Sequence, residues 1–128
     1  MKIYLAAPFE EILRLQTVKA DVEALGHQVV SSWLEESPES SVDLPQPDWS
    51  RFALRDLQEV KGANLLILDT FAANLRGGSQ VEYGYAIGFQ RPVWIVGPVR
   101  NVFHTLAQWR CENWEEALGL LARGGKDR

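Results

Sequence analysis

Residues 2 to 6, KIYLA, form a short β-rich run with no helical period, and from Glu10 to Leu25 the apolar residues fall at Ile12, Leu15, Val18, Val22 and Leu25. That spacing predicts a strand, a loop and an amphipathic helix. Gly26 is placed to cap the helix. The run HQVVSSW predicts a second short strand ending near Ser32. Residues 35 to 47, EESPESSVDLPQP, are rich in serine, proline and acids and predict a loop, of a length that is often functional and would suit a lid. Asp48 is a predicted N-cap for a helix running to about Lys61 and ended by Gly62. The continuous apolar run ANLLILD predicts a strand buried on both faces. A helix from about Ser79 to Gly88 follows, and then RPVWIVG as a fourth buried strand. The segment NVFHTLAQWRCEN predicts a helical turn and a short fifth strand, ahead of a last amphipathic helix around Trp114, Leu118 and Leu121.

Strands alternating with helices predict an α/β fold: a single doubly wound, Rossmann/flavodoxin-like domain with a mostly parallel sheet of about five strands and right-handed crossovers. Ligands of such sheets bind beyond the carboxyl ends of the strands, at a switch point in strand order. The candidate loops are therefore residues 7 to 9, which include Pro8 and Phe9, and residues 33 to 47, 70 to 79 and 97 to 103.

Composition narrows the function classes. A chain of 128 residues, 46% hydrophobic and 23% charged, is expected to form one globular domain. Its net charge of −4 gives no basic face for duplex nucleic acid or an anionic membrane, so an anionic ligand would have to be small and held locally. Cys111 is the single cysteine, and the N-terminus has no basic segment followed by an apolar run, which together lead us to expect a cytoplasmic protein. No run approaches the roughly 20 apolar residues of a membrane span, and no solenoid repeat is present. His27 and His104 are isolated from the cysteine and from each other, so neither a metal site nor a cofactor is expected.

Two acids stand out. Ser79 and Glu82 have the S-x-x-E spacing of a capping box, which competes with a functional role for Glu82. Gly77 and Gly78 would allow a tight turn, Gly84 and Gly88 would offer a smooth face for packing on the sheet, and the helix start could bind an anion. Asp56 falls in an apolar stripe with Trp49, Phe52, Ala53 and Val60, so a carboxylate is aimed inward. No cation stands three or four positions from it, so none on its own helix is expected to pair with it, whereas Glu59 has Arg55 at i−4. Asp56 should then line a wet cavity or cap another loop. Trp33 and Phe9 stand at strand ends, where a ring serves either the core or a stacked base. Tyr4, within the first strand, has a hydroxyl free to bond a neighbouring carboxylate. No serine or cysteine nucleophile sits in a G-x-S-x-G turn.

Taken in order, KIYLAAPF, LRDLQEVKGANLLILD and GGSQVEYGYAIGFQRPVWIVGP resemble the nucleoside 2-deoxyribosyltransferase family, including its deoxynucleoside 5′-monophosphate N-glycosidases. The resemblance spans most of the chain and is weakest over about residues 34 to 50 and after Val99. It implies cleavage of the N-glycosidic bond of 2′-deoxynucleosides or their 5′-monophosphates, by base transfer or hydrolysis. Glu82 would be the nucleophile, Asp56 the proton donor or base holder, and Tyr4 the residue that orients Glu82. Gly78 and Ser79 would hold the 5′ end of the substrate, with Pro8, Phe9 and Trp33 also contacting it. It also implies a homodimer or larger closed assembly. The chain departs from the family at Asn64, where a second aspartate is frequent, and at Asn74, Leu75 and Arg76, where transferases carry another acid and where Arg76 would suit a phosphate. Two alternatives remain: a nucleotide-binding sensor module of the same fold, and a phosphoribohydrolase of the lysine-decarboxylase-like type, whose motif has a proline before the glycines and a G-T pair after them that RGGSQVE lacks.

Overall fold

Three of the five strands carry almost no polar side chain, and that decides where the sheet lies. In the computed structural model, which describes residues 1–36, 46–73 and 77–124, β1 (Lys2–Ala6), β3 (Leu65–Asp69) and β4 (Val93–Val96) form the centre. Every residue of β3 and β4 is buried, as expected for strands covered on both faces. The edges are short: β2 (Gln28–Val29) has two residues and β5 (Trp109–Cys111) three, which limits the open hydrogen-bonding edge. The strand order is β2-β1-β3-β4-β5 and every pairing is parallel, with Tyr4 opposite Leu66. The order reverses between β1 and β3, so their carboxyl ends are the favoured place for a ligand.

Helices cover both faces. α1 (Ile12–Ala24) buries Ile12, Leu15, Val18 and Val22 and packs beside α4 (Trp114–Ala122), whose N-cap Asn113 accepts the Glu116 N–H. α2 (Gln46–Gly62) and α3 (Gly78–Gly88) pack together on the opposite face. Gly26 follows α1 at φ +94°, and its N–H bonds the Glu23 carbonyl, as its placement predicted. The helical turn and fifth strand expected in residues 101–113 are a 3-10 turn at Val102–Leu106 and β5. No described helix is long and apolar enough to cross a membrane.

Several boundaries differ from the sequence reading. α2 begins at Gln46, so Asp48 lies inside it and is not its N-cap. The second strand stops at Val29, and Ser32–Glu35 turns as a 3-10 helix because the Trp33 indole N–H is drawn to the Leu5 carbonyl of β1 at 2.8 Å. Gly84 and Gly88 face away from the sheet, since a Cβ on either would meet nothing within 4 Å. The sheet-facing residues of α3 are instead Tyr83 and Ala86. Most of the loop read as a lid, residues 37–45, lies outside the described residues.

The carboxyl end of β3 is fixed by a residue the sequence reading passed over. Asp69 is buried, takes two bonds from the Arg14 guanidinium at 2.7 and 2.9 Å, one from the Trp114 indole at 2.7 Å, and one from the Phe71 N–H. It thereby ties α1, α4 and the β3–α3 connection to one strand end. Next to it, Gly97 has φ +119°, and a Cβ there would stand 2.6 Å from the Thr70 hydroxyl. The Asp69 side chain has no exposed surface while Arg14 is 38% exposed and also bonds Glu11, so the carboxylate depends on the cation more than the cation depends on it. Arg14→Met, which leaves the fully buried Asp69 carboxylate without its cation, should therefore lose roughly 3–5 kcal/mol of stability in urea unfolding, whereas Asp69→Ala, which leaves the partly exposed Arg14 paired with Glu11, should lose less.

Candidate active site

At the switch point, side chains from four elements converge. Tyr4 comes from the middle of β1, where the pleat turns it toward the α2/α3 face, and it is 0% exposed. Its hydroxyl donates to Oε2 of Glu82 on α3 at 2.8 Å. Asp56 comes from α2, and its carboxyl lies in hydrogen-bonding contact with that of Glu82. The two acids open into a cavity of about 180 Å³ lined by Ala7, Pro8, Phe9, Trp33, Gly78 and Ser79, with Glu10 at its margin. That volume is below the roughly 300–1,000 Å³ of most ligand pockets.

The local sequence explains how Glu82 arrives there. Gly77, at φ +81°, turns the chain sharply into α3 and, as the N-cap residue, brings no side chain to the helix start. The expected capping box between Ser79 and Glu82 is therefore absent: Ser79 is a buried residue inside the first turn, and the Glu82 carboxylate is taken by Tyr4. A hydrogen bond from a strand 78 residues away has displaced the local one.

Asp56 also departs from expectation. It does face inward, with 19% of its side chain exposed, and shares its face of α2 with Phe52 and the buried Val60. Trp49 and Ala53, read as part of the same stripe, are exposed instead. The acid is also not without a cation on its own helix, because the adjacent Arg55 bends back to it, Nη2 to Oδ1 at 3.0 Å and Nε at 3.2 Å. Glu59, paired with Arg55 by the i−4 rule, instead accepts the Ser32 N–H.

Burial, then the charge of Asp56, pushes the Glu82 carboxyl up to about 8, although the Tyr4 hydroxyl opposes the shift. Burial also raises Asp56, against the pull of Arg55. Two carboxyls in contact cannot both be ionised cheaply, so the pair holds one proton near neutral pH. The aromatic walls are Trp33, 6% exposed and pinned to β1, and Phe9, with ring centroids 6.3 Å apart at 48°.

The structure thus brings Glu82, Asp56, Tyr4, Pro8, Phe9, Trp33, Gly78 and Ser79 together. Arg55 and Glu10 were missed; Glu10 directly follows the strand-end loop, and Arg55 is the sequence neighbour of Asp56. Asn64 lies apart, its side chain accepting the Lys2 N–H, and residues 74–76 are not among those described. His104 bonds the Arg100 N–H and the Gln80 side chain, and among the described residues no cluster of three His, Cys, Asp or Glu could hold a metal.

Glu82 has a pH signature. Its folded value stands above the unfolded value of 4.5, so the folded chain keeps a proton that the unfolded chain releases, and stability falls as pH rises from about 4.5 to about 8. Each unit is worth about 1.4 kcal/mol. Glutamine at this position can accept from Tyr4 and donate to Asp56 without titrating. Glu82→Gln should therefore be more stable than the wild type at pH 8 by a few kcal/mol, with the difference fading toward pH 4.5 in thermal melts.

No protein-family model matches the chain, and a search of curated proteins gives no match. Solved structures do match. A 2-deoxyribosyltransferase from the psychrotolerant bacterium Bacillus psychrosaccharolyticus superposes with a TM-score of 0.74 at 24% identity, covering 92% of this chain and 90% of that one. The CMP N-glycosidase BcmB of Clostridium botulinum superposes with a TM-score of 0.62 at 17% identity, covering 94% and 98%. Over nearly its whole length, this chain has the fold of these two enzymes.

Proposed function

We propose that the chain is a cytoplasmic enzyme that cleaves the N-glycosidic bond of 2′-deoxynucleosides or their 5′-monophosphates through a glycosyl ester on Glu82. The observation that carries the reading is the buried Glu82 carboxyl, oriented by Tyr4 at 2.8 Å and in contact with a second acid, on the floor of an aromatic-walled cavity. The shared fold and the sequence resemblance support the same chemistry.

At neutral pH the pair's one proton rests on Glu82, because Arg55 holds the charge on Asp56, and it passes to Asp56 as substrate binds. An oxygen of the Glu82 carboxylate then bonds C1′ while the C1′–N bond breaks, its electron pair going to the base. Asp56 supplies the proton that the departing base takes up. Charge builds on an oxocarbenium-like carbon before the ester forms. Water, or a second base, then attacks C1′ as its proton passes to the Asp56 carboxylate, and the C1′–O bond to Glu82 breaks, so two displacements retain configuration.

Phe9 and Trp33 supply flat surfaces for the base. Gly78 and Ser79, in the first turn of α3, line the cavity, and a helix start there suits a 5′-hydroxyl or 5′-phosphate. Self-association into a homodimer or larger closed assembly belongs to the same proposal.

Incubating the protein with each deoxynucleoside and its 5′-monophosphate, with and without a free acceptor base, should give free base or an exchanged base by chromatography. Binding without product would contradict the proposal and favour a sensor. Glu82→Gln should lose at least a thousandfold in turnover, roughly the scale of removing an essential nucleophile. Asp56→Asn should lose about a hundredfold, in the range of general acid catalysis, with a small change in melting temperature. Full activity per folded molecule in Asp56→Asn would assign that residue a structural role.

A further inference from the structure

The proton shared by Asp56 and Glu82 has a donor on each side, and the two donors differ in kind. Tyr4 offers Glu82 a neutral hydroxyl, buried and held well above its ordinary range by that burial and then by the charge of Glu82. Arg55 offers Asp56 a full positive charge. The guanidinium is itself anchored: Nη2 also donates to Oε1 of Glu36 at 2.6 Å, and the group lies over the Phe52 ring at 4.9 Å from its centroid. Both bonds to Asp56 go to Oδ1, leaving Oδ2 clear of Arg55.

We propose that Arg55 is a positioning residue of this site, which, braced on Glu36, orients Asp56 and keeps one negative charge on the Asp56–Glu82 pair at neutral pH. The proposal rests on the reading of those two acids as the reacting pair. The charged and titratable groups facing the pair are Arg55 and Glu59 from α2, Tyr4 from β1, Glu36 from the end of the Ser32–Glu35 turn, and Glu10 across the cavity. Among these groups the positive one is Arg55. Glu36 and Glu59 act on Asp56 in the opposite direction and burial adds to them, so without Arg55 both carboxyls would stay protonated to higher pH. A doubly protonated pair contains no nucleophile. Retaining the cation beside Asp56 therefore keeps on the pair the charge that reaches Glu82 when Asp56 takes up the proton, although Arg55 is not seen to touch Glu82.

The test is a titration of ¹³C-labelled carboxyls in the wild type, Arg55→Met, Arg55→Lys and Glu36→Gln, read beside the pH dependence of kcat/KM. Loss of the charge in Arg55→Met should move the lower midpoint of the pair, and the acidic limb of kcat/KM, upward by about one pH unit. That is about a tenfold loss of rate below the limb. Arg55→Lys keeps the charge and should return the limb to within a few tenths of the wild type. Glu36→Gln frees the guanidinium that Glu36 braces and should move the limb upward too, by less than Arg55→Met. An unmoved midpoint in both Arg55→Met and Glu36→Gln, or a rate lowered equally at every pH, would overturn the proposal. The carboxyl titration needs no substrate. A wild type inactive on every nucleoside and nucleotide would refute the functional reading, and the titration would still decide the role of Arg55.

Discussion

Two carboxyls that would repel each other if both were ionised are pressed together at the carboxyl ends of β1 and β3, and much of the surrounding structure is needed to keep them there. Glu82 is raised to about 8 by burial and by its neighbour, which makes it a costly residue at neutral pH. Hydrophobic burial in the sheet and helices must offset that cost. The fully buried β3 and β4, and Tyr4 with no exposed surface, are the rigid support that holds the pair in place. A strained arrangement of this kind is common where a protein does chemistry.

The support reaches the site through two connections. On one side, Asp69 gathers Arg14, Trp114 and the Phe71 N–H, while Arg100 donates to the carbonyls of Thr70 and Phe71, fixing where the chain leaves β3. On the other, Trp33 bonds the Leu5 carbonyl and carries the Ser32–Glu35 turn, whose end presents Glu36 to Arg55. The first connection sets the start of the segment leading to Glu82, and the second sets the cation beside Asp56. Glu82 and Asp56 are 26 residues apart in sequence and on different helices, yet packing of α2 against α3 makes them neighbours.

Sequence patterns told most where a side chain's surroundings are uniform. The apolar runs of β3 and β4, the stripe of α1 and the glycine at its end were legible because burial on both faces, a helical period and a positive φ each leave a local mark. Patterns told least where a distant group competes with a local one. The S-x-x-E spacing at Ser79 and Glu82 is a sound capping signal, but Gly77 already turns the chain and Tyr4 claims the carboxylate. Likewise, helical spacing finds partners three and four positions away, so it passed over Arg55, whose long side chain folds back on its immediate neighbour. Gly84 and Gly88 show the same limit: spacing gave them one face, and the packing of Tyr83 and Ala86 decided which face it was.

The central claim is that Glu82 forms a covalent bond to the sugar. A 2-fluoro-2-deoxynucleoside, whose fluorine destabilises the oxocarbenium-like transition state and slows breakdown of the ester, should trap that intermediate for intact-protein and peptide mass spectrometry. The account predicts an increment equal to the fluorosugar on the peptide containing Glu82, absent in Glu82→Gln and lost on adding an acceptor base or on prolonged incubation in water. Turnover of the natural deoxynucleoside without any adduct from the fluorinated one, or an adduct on another residue, would contradict it.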